Sequence, residues 1–167
     1  MTTMKTVLVT GAGGPLGVNF CRSLKFDEEV NSVKLIGTDA NKWHLPLSLC
    51  DETYLIPLAK ESEAYLKALK AIIHNEKVDV LIPTHPVEVR AVAEHKKRGN
   101  LENVATLLPD LDVLDKTDSK EETQIALKKS QIPVPETIAL KDLKDIKAAF
   151  ERFAQFGPVW VLSLIHI

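Results

Sequence analysis

The chain has 167 residues, of which 45% are hydrophobic and 26% are charged. This length and composition allow one ordinary globular domain with room for part of a second, and they favour neither a disordered nor a fibrous chain. The formal net charge is -2, and basic residues are scattered among acidic ones, so we expect no nucleic-acid partner. The sequence contains neither a signal-peptide pattern nor an apolar run long enough to span a bilayer. We therefore expect a cytoplasmic protein with no membrane partner.

The first part of the chain alternates predicted strands with predicted helices. Residues 6–10 (TVLVT) form an apolar, β-branched run, which is typical of a strand buried on both faces of a parallel sheet. With right-handed crossovers, the alternation predicts an α/β fold: a Rossmann-like, doubly wound, mostly parallel sheet with helices on both faces. The predicted strands are 6–10, 33–38, 53–56, 78–82 and 104–108, and the predicted helices are 15–25, one that begins near Ser62, and 86–98.

The character of the sequence changes after Pro109. We expect a loop as far as Asp115, helices over 118–130 and 141–156, and a strand over 158–161. The predicted domains are residues 1–110 and 111–161, and residues 162–167 are an anomalous tail. Because the last strand has no onward connection, we expect a truncated chain.

Glycines punctuate the predicted turn between the first strand and the first helix. Glycines at Gly11, Gly13, Gly14 and Gly17 permit a sharp turn that exposes backbone amides at a helix N-terminus. The turn therefore favours a bound phosphate or carboxylate. The alternative is that these glycines only allow the helix to pack tightly on the strand.

The same turn partly matches dinucleotide-binding sequences. The spacing of Gly11, Gly14 and Gly17 resembles the turn of short-chain dehydrogenases, in which Asp39 could accept hydrogen bonds from a ribose. Asp39 could equally cap the turn that follows its strand. Those enzymes use a Tyr-x-x-x-Lys pair, and neither of the two tyrosines here is followed by lysine four positions later. An NAD(P)-binding dehydrogenase or epimerase is thus the alternative function, and a non-enzymatic Rossmann-like binding module is a third.

An ordered set of motifs in the rest of the chain favours another family. The set comprises residues 78–84 (VDVLIPT), Glu88, 108–110 (LPD), 115–116 (DK) and 132–137 (IPVPET). Together they resemble the front end of carbamoyl-phosphate-synthase-like ATP-grasp ligases, over about residues 5–161. The resemblance implies an N-terminal preATP-grasp domain followed by the start of an ATP-grasp small lobe.

This resemblance also implies a chemistry. ATP-grasp ligases activate a carboxylate as an acyl phosphate, which a nucleophile then captures, and they use ATP and Mg²⁺. Lys116 matches the lysine that approaches the nucleotide phosphates, although it could simply be a solvated lysine. The family's phosphate loop and metal ligands would lie beyond residue 161. We therefore expect this fragment to be inactive alone, with no catalytic residue, no metal site and no tight cofactor binding of its own.

In the same family the N-terminal domain commonly helps to shape the acceptor-substrate site. That role implies that the glycine turn approaches a small anionic substrate, together with Thr84, His85 and Glu88 after the fourth strand. His85 could instead be a plain loop residue, and Glu88 could be a first-turn acid that stabilises its own helix. A homo-oligomer is compatible with this assignment.

The two cysteines suggest no site of their own. Cys21 and Cys50 are far apart in the sequence and form no CxxC pair. The sequence therefore predicts neither a zinc site nor a disulfide framework, and it places Cys21 in the core.

Overall fold

The computed structural model describes residues 4–26 and 33–161. The predicted tail, 162–167, lies outside these residues. The chain divides into two compact units, the first ending at Leu111 and the second beginning at Asp112. In the described ranges, no helix combines the length and apolar character that a membrane crossing requires.

A five-stranded sheet forms the centre of the first unit. The strand order is β3-β2-β1-β4-β5, and each pairing is parallel. The sequence-based prediction of a parallel, doubly wound sheet is therefore confirmed, with β1 at its centre. The strands are β1 (Lys5–Thr10), β2 (Val33–Asp39), β3 (Glu52–Leu55), β4 (Val80–Pro83) and β5 (Ala105–Thr106).

Helices connect the strands and cover both faces of the sheet. They are α1 (Pro15–Phe26), α2 (Ser62–Asn75) and α3 (Pro86–Lys97). Alternate strand residues point to opposite faces, so two separate cores form. One core packs α2 and α3 on the sheet and includes Leu8, Ile36, Leu81, Tyr65, Leu69 and Val92. The other packs α1 on the sheet and includes Val7, Val9, Leu35, Cys21, Phe20 and Leu24.

The second unit, as far as the structure describes it, is helical. Its helices are α4 (Leu111–Thr117), which begins at the last residue of the first unit, α5 (Lys120–Lys129) and α6 (Leu143–Phe153). Two expectations are wrong here. The loop predicted up to Asp115 is helical from Leu111 onward, and residues 158–161 are not a strand. Asp112 in the first turn and its ion pair with Lys116, one turn later, favour the helix, while residues 158–161 have no partner strand within the described residues.

Candidate functional site

The glycine turn between β1 and α1 lies against the turn between β4 and α3. Gly11 has a φ of 62°, a left-handed conformation that favours glycine. A Cβ placed on Gly11 would lie 3.0 Å from Glu88 Oε2, 3.1 Å from Thr84 Oγ1 and 3.4 Å from His85 Cβ. The structure thus brings four of the predicted site residues together at the carboxyl ends of two neighbouring strands.

Thr84 joins the two turns. Its hydroxyl donates a hydrogen bond of 2.7 Å to the Thr10 carbonyl and a longer one of 3.3 Å to the Gly11 carbonyl. Its backbone amide also donates to the Thr10 carbonyl, at 3.3 Å. Thr84 therefore positions the start of the glycine turn.

Two of the other glycines are required by close packing. A Cβ on Gly13 would lie 2.1 Å from the His44 carbonyl oxygen, and a Cβ on Gly17 would lie 2.3 Å from the Gly11 carbonyl oxygen. Gly14 has more room, since its nearest such neighbour, the Gly11 carbonyl oxygen, is 3.3 Å away. The tight-packing interpretation therefore accounts for Gly13 and Gly17 without a ligand.

Asp39, at the end of β2, supports the glycine turn from within. Its Oδ2 accepts a hydrogen bond of 3.3 Å from the Gly13 amide and lies 3.5 Å from His44 Nδ1, and its Oδ1 accepts from the Asn41 amide at 2.8 Å. The side chain is almost fully buried. The Gly13 amide therefore already binds an anionic group, the carboxylate of Asp39.

Two neighbouring amides of the turn also have acceptors within the chain. The Ala12 amide donates to the Thr38 carbonyl, and the Gly14 amide donates to the Gly11 carbonyl, both at 3.0 Å. The amides of residues 12–14 are therefore free to bind a guest anion only if these bonds rearrange, whereas the start of α1 offers further backbone donors.

Glu88 is a buried acid directly beneath the glycine turn. Only 7% of the residue is exposed, and its Oε2 has no hydrogen-bond partner among the described residues. Burial, reinforced by the nearby charge of Asp39, raises the pKa of Glu88 to about 7, although the hydroxyl of Tyr65 opposes this shift. The Glu88 carboxyl can therefore gain or lose a proton near neutral pH.

Three further residues complete a polar cluster around this acid. The Tyr65 hydroxyl donates to Glu88 Oε1 at 3.4 Å, and burial together with the charge of Glu88 raises the pKa of Tyr65, which keeps it a donor. The hydroxyl oxygens of Thr10 and Thr38 are buried without a hydrogen-bond partner in the described part of the chain. We call Thr10, Thr38, Asp39, Tyr65 and Glu88 the loop cluster. Its unpartnered atoms could accept a hydrogen bond from a ligand or a water molecule.

The remaining predicted residues have local roles in this structure. His85 is the N-cap of α3, and its Nδ1 accepts a hydrogen bond of 3.3 Å from the Val87 amide. Lys116 lies in the second unit, with its Nζ 3.4 Å from Asp112 Oδ2 and its side chain 55% exposed.

Sequence reasoning missed Tyr65 and His44 as neighbours of the glycine turn. No sequence motif places Tyr65 beside Glu88, because their contact spans 23 positions of the chain. His44 contacts Gly13 through its backbone, which no side-chain motif can reveal. A buried tyrosine needs a partner for its hydroxyl, and this was the one available signal.

A separate cleft of about 550 Å³ lies at the other end of the strands, near the start of β4 and β5. Lys70, His74 and Lys77 are among its lining residues, and none of the predicted site residues lines it. In the described part of the chain, no group of three or more His, Cys, Asp or Glu side chains could hold a metal ion.

Comparison with solved structures shows the same fold in several ligases and carboxylases. N5-carboxyaminoimidazole synthetase from Staphylococcus aureus, complexed with ADP, has a TM-score of 0.59 and 17% identity, covering 90% of this chain and 36% of that one. L-amino acid ligase from Bacillus licheniformis has a TM-score of 0.58 and 13% identity, covering 92% of this chain and 43% of that one. The biotin carboxylase–ATP complex from Campylobacter jejuni has a TM-score of 0.52 and 20% identity, covering 89% and 33%.

The chain therefore spans less than half the length of each of these proteins. No curated protein matches it. A family model described as the PylC-like, N-terminal domain matches residues 7–107, more than half of the chain. This match confirms the sequence-based recognition of a preATP-grasp N-terminal domain, and it does not favour the dehydrogenase alternative. The chain belongs to the family of PylC-like N-terminal domains.

Proposed function

We propose that this chain is the N-terminal part of an ATP-dependent carboxylate ligase of the ATP-grasp type, and that its glycine turn helps to form the acceptor-substrate site. The family match and the fold shared with an L-amino acid ligase and a carboxyaminoimidazole synthetase support this proposal. In the whole protein, the γ-phosphoryl group of ATP passes to a substrate carboxylate and ADP leaves. A nucleophile then attacks the acyl carbon, and inorganic phosphate leaves.

The observation that carries the site proposal is the meeting of Gly11 with Thr84 and Glu88. It occurs where β1 and β4 end, and open α/β sheets bind ligands at the carboxyl ends of their strands. The loop cluster adds a buried carboxyl that exchanges a proton near neutral pH. A protonated Glu88 could donate a hydrogen bond to an anionic substrate group, whereas an ionised Glu88 would repel it. We propose a small anionic acceptor substrate on this basis.

ATP and Mg²⁺ are proposed for the whole protein. Lys116 suits a phosphate contact because its ammonium group is exposed and its ion pair with Asp112 is a weak surface pair. The described residues offer no metal-binding cluster, so we assign Mg²⁺ to none of them. We propose no catalytic residue in this chain and expect it to be inactive alone. A cytoplasmic location and a homo-oligomeric state belong to the same proposal.

Binding can be mapped on this chain by the NMR shifts of its backbone amides. We would titrate it separately with each standard amino acid and with succinate as small carboxylate probes. We expect saturable shifts at residues 11–17 and 84–88 with at least one probe. Shifts confined to the cleft lined by Lys70 and His74, or no saturable shift with any probe, would contradict the site proposal.

A matched pair of variants separates the loop cluster from general charge effects. Glu88→Gln should change the affinity of the responding probe and remove its dependence on pH between about pH 5 and 8. Glu63→Gln removes the exposed first-turn acid of α2 and should leave both unchanged. Equal behaviour of the two variants would contradict a role for Glu88 in the site.

The dehydrogenase alternative has its own test. Titration with NAD(H), NADP(H) and ATP should show no tight dinucleotide binding. Micromolar dinucleotide binding that is lost in Asp39→Asn, and kept in the exposed control Asp110→Asn, would overturn the ligase proposal.

The ligase activity itself can be tested on the whole protein purified from its natural source. We expect this protein to release ADP from ATP only when a carboxylate and a nucleophile are both present.

A further inference from the structure

The fold brings two cysteines together that the sequence keeps 29 positions apart. The Sγ atoms of Cys21 and Cys50 lie 3.5 Å from each other, and both residues are free thiols. A disulfide needs an S–S separation of about 2.0 Å, so the remaining gap is small compared with the reach of a side-chain rotation. Neither residue belongs to the loop cluster.

The two thiols differ in their access to solvent. Cys21 lies on the sheet-facing side of α1 and is fully buried, whereas Cys50 lies in the segment before β3 and is partly exposed. Gly37 of β2 leaves the space in which Cys50 packs, because a Cβ there would lie 2.8 Å from Cys50 Sγ. A reagent from solvent therefore meets Cys50 first and finds Cys21 directly behind it.

The two thiols also differ in pKa, and the more exposed thiol, Cys50, is the more acidic one. The hydrogen bond from Cys21, with help from the Ser48 hydroxyl, lowers the pKa of Cys50 to about 7, although burial opposes this. The same pairing and burial raise the pKa of Cys21. Lys25 and Asp51 form an ion pair at 2.9 Å. Lys25 lowers the pKa of each thiol, whereas Asp51 raises the pKa of each. Cys50 is therefore the more nucleophilic thiol near neutral pH.

We propose that Cys21 and Cys50 form a reversible disulfide when the chain meets a hydroperoxide. The Cys50 thiolate attacks the peroxide oxygen, the O–O bond breaks, and Cys50 becomes a sulfenic acid as water or an alcohol leaves. The Cys21 sulfur then attacks the Cys50 sulfur, and the sulfenic hydroxyl leaves with the Cys21 proton as one water molecule while the S–S bond forms. The two thiols lose two electrons and two protons, and the peroxide is reduced by the same two electrons. A small thiol reverses the reaction by disulfide exchange.

Oxidation would connect α1, the helix after the glycine turn, to the segment that covers this turn. Residues 41–51 run from the end of β2 to Cys50 and the start of β3, and the His44 carbonyl in this segment covers Gly13. Cys21 belongs to α1, the helix that begins after the glycine turn. A bond between them would hold the covering segment against α1. The pair would then limit how far this segment can move away from the glycine turn.

Intact-mass measurement tests the proposal directly. We would treat the folded chain with stoichiometric hydrogen peroxide and then block free thiols. We expect the wild-type chain to lose two hydrogen atoms, to gain no blocking group, and to yield a Cys21–Cys50 cross-linked peptide. A small thiol should restore both free thiols. A chain that only gains oxygen atoms, or that cross-links only between molecules, would overturn the proposal.

Single variants test the two roles. In Cys21→Ser and Cys21→Ala the reaction should stop at a Cys50 sulfenic acid, which dimedone traps. In Cys50→Ser the buried Cys21 should resist the same peroxide treatment. A dimedone adduct on Cys21 in the folded Cys50→Ser chain would overturn the assignment.

The wild-type chain in urea supplies the control that needs no variant. The fold brings Cys21 and Cys50 together and lowers the pKa of Cys50. We therefore expect cross-linking to be about tenfold faster in the folded chain than in the unfolded one. Equal rates would show that the fold contributes nothing. Hydrogen exchange at residues 41–50 should slow after oxidation, and unchanged exchange would contradict the effect on the covering segment.

Discussion

The two units use the same helical pattern in different ways. In the first unit, the apolar stripe of α2 is buried, and Tyr65, Leu66, Leu69 and Ile72 pack into the core. In the second unit, α6 has an equally clear apolar stripe, yet none of its residues is buried, and Leu143 is 83% exposed. The comparison teaches that an amphipathic pattern specifies a helix but does not by itself create a core.

Local interactions define the helices of the second unit. Asp142 and Asp145 form a capping box at the start of α6, and Ser119 caps α5 by accepting a hydrogen bond from the Glu122 amide. Each such cap stabilises its helix by about 1 kcal/mol. Burial of a large apolar side chain contributes about 1.5–3 kcal/mol, so the two units should respond very differently to substitution.

The largest contrast is expected from truncating one apolar residue in each unit. Leu69→Ala should lower the free energy of unfolding by about 2–5 kcal/mol, because it leaves a cavity among buried neighbours. Leu143→Ala in α6 should change it by no more than about 0.5 kcal/mol, since 83% of this residue is exposed to solvent. Urea denaturation followed by circular dichroism measures both. Similar losses would show that α6 has a buried face after all.

Glu88 should make the stability of the first unit depend on pH. Its pKa is raised from 4.5 to about 7, so the folded chain keeps this proton after the unfolded chain has released it. Stability from this group is therefore lost as the pH rises from about 4.5 to about 7, and the loss approaches about 3 kcal/mol above that range. Urea denaturation at several pH values measures this.

The control for that prediction is Glu88→Gln, which removes the titrating group and keeps its shape. It should gain stability relative to the wild type as the pH rises through this window. The carboxyls of Glu76 and Asp79, whose pKa values are lowered by Lys34 and Lys5 respectively, titrate below the window. A variant that follows the wild-type pH profile throughout would refute a raised pKa for Glu88.

Alanine substitutions in the glycine turn should change the free energy of unfolding less than the two changes above, and the sign of the change is informative. Alanine normally stabilises a helix relative to glycine by about 1 kcal/mol. Gly17→Ala should instead lower the free energy of unfolding by about 1–3 kcal/mol, because its Cβ would meet the Gly11 carbonyl oxygen at 2.3 Å. Gly14→Ala, with 3.3 Å to the same oxygen, should cost much less. A Gly17→Ala variant that is more stable than the wild type would contradict the close approach of residue 17 to the Gly11 carbonyl oxygen.

The smallest effect is expected at a cap in the second unit. Asp142→Ala should cost α6 about 1 kcal/mol, because the Lys144 and Asp145 amides lose their acceptor. Hydrogen exchange should show faster exchange within α6 and no change within α2, since the cap bonds only amides of α6 and no residue of α6 is buried. The control, Glu151→Ala, lies on the exposed face of α6 and should leave exchange nearly unchanged. Faster exchange in α2 would contradict a purely local role for the Asp142 cap.

Local patterns were enough to predict most of the first unit. The apolar β-branched run at residues 6–10, the glycines after it and Pro15 at the start of α1 each act on near neighbours, so the strand, turn and helix could be predicted from sequence. The same reasoning was wrong at α4, where an ion pair between residues one turn apart favours a helix over the expected loop. It was also wrong at residues 158–161, because a strand needs a partner and local propensity does not supply one.

Sequence patterns alone were enough to predict the order of strands and helices in the first unit, the position of the glycine turn and the family resemblance. Three contacts became visible only in the folded chain: Asp39 with the Gly13 amide, Tyr65 with Glu88, and Cys21 with Cys50. These contacts join residues more than twenty positions apart. Their distances depend on how several elements pack together, whereas hydrophobic period and turn chemistry are properties of a short segment.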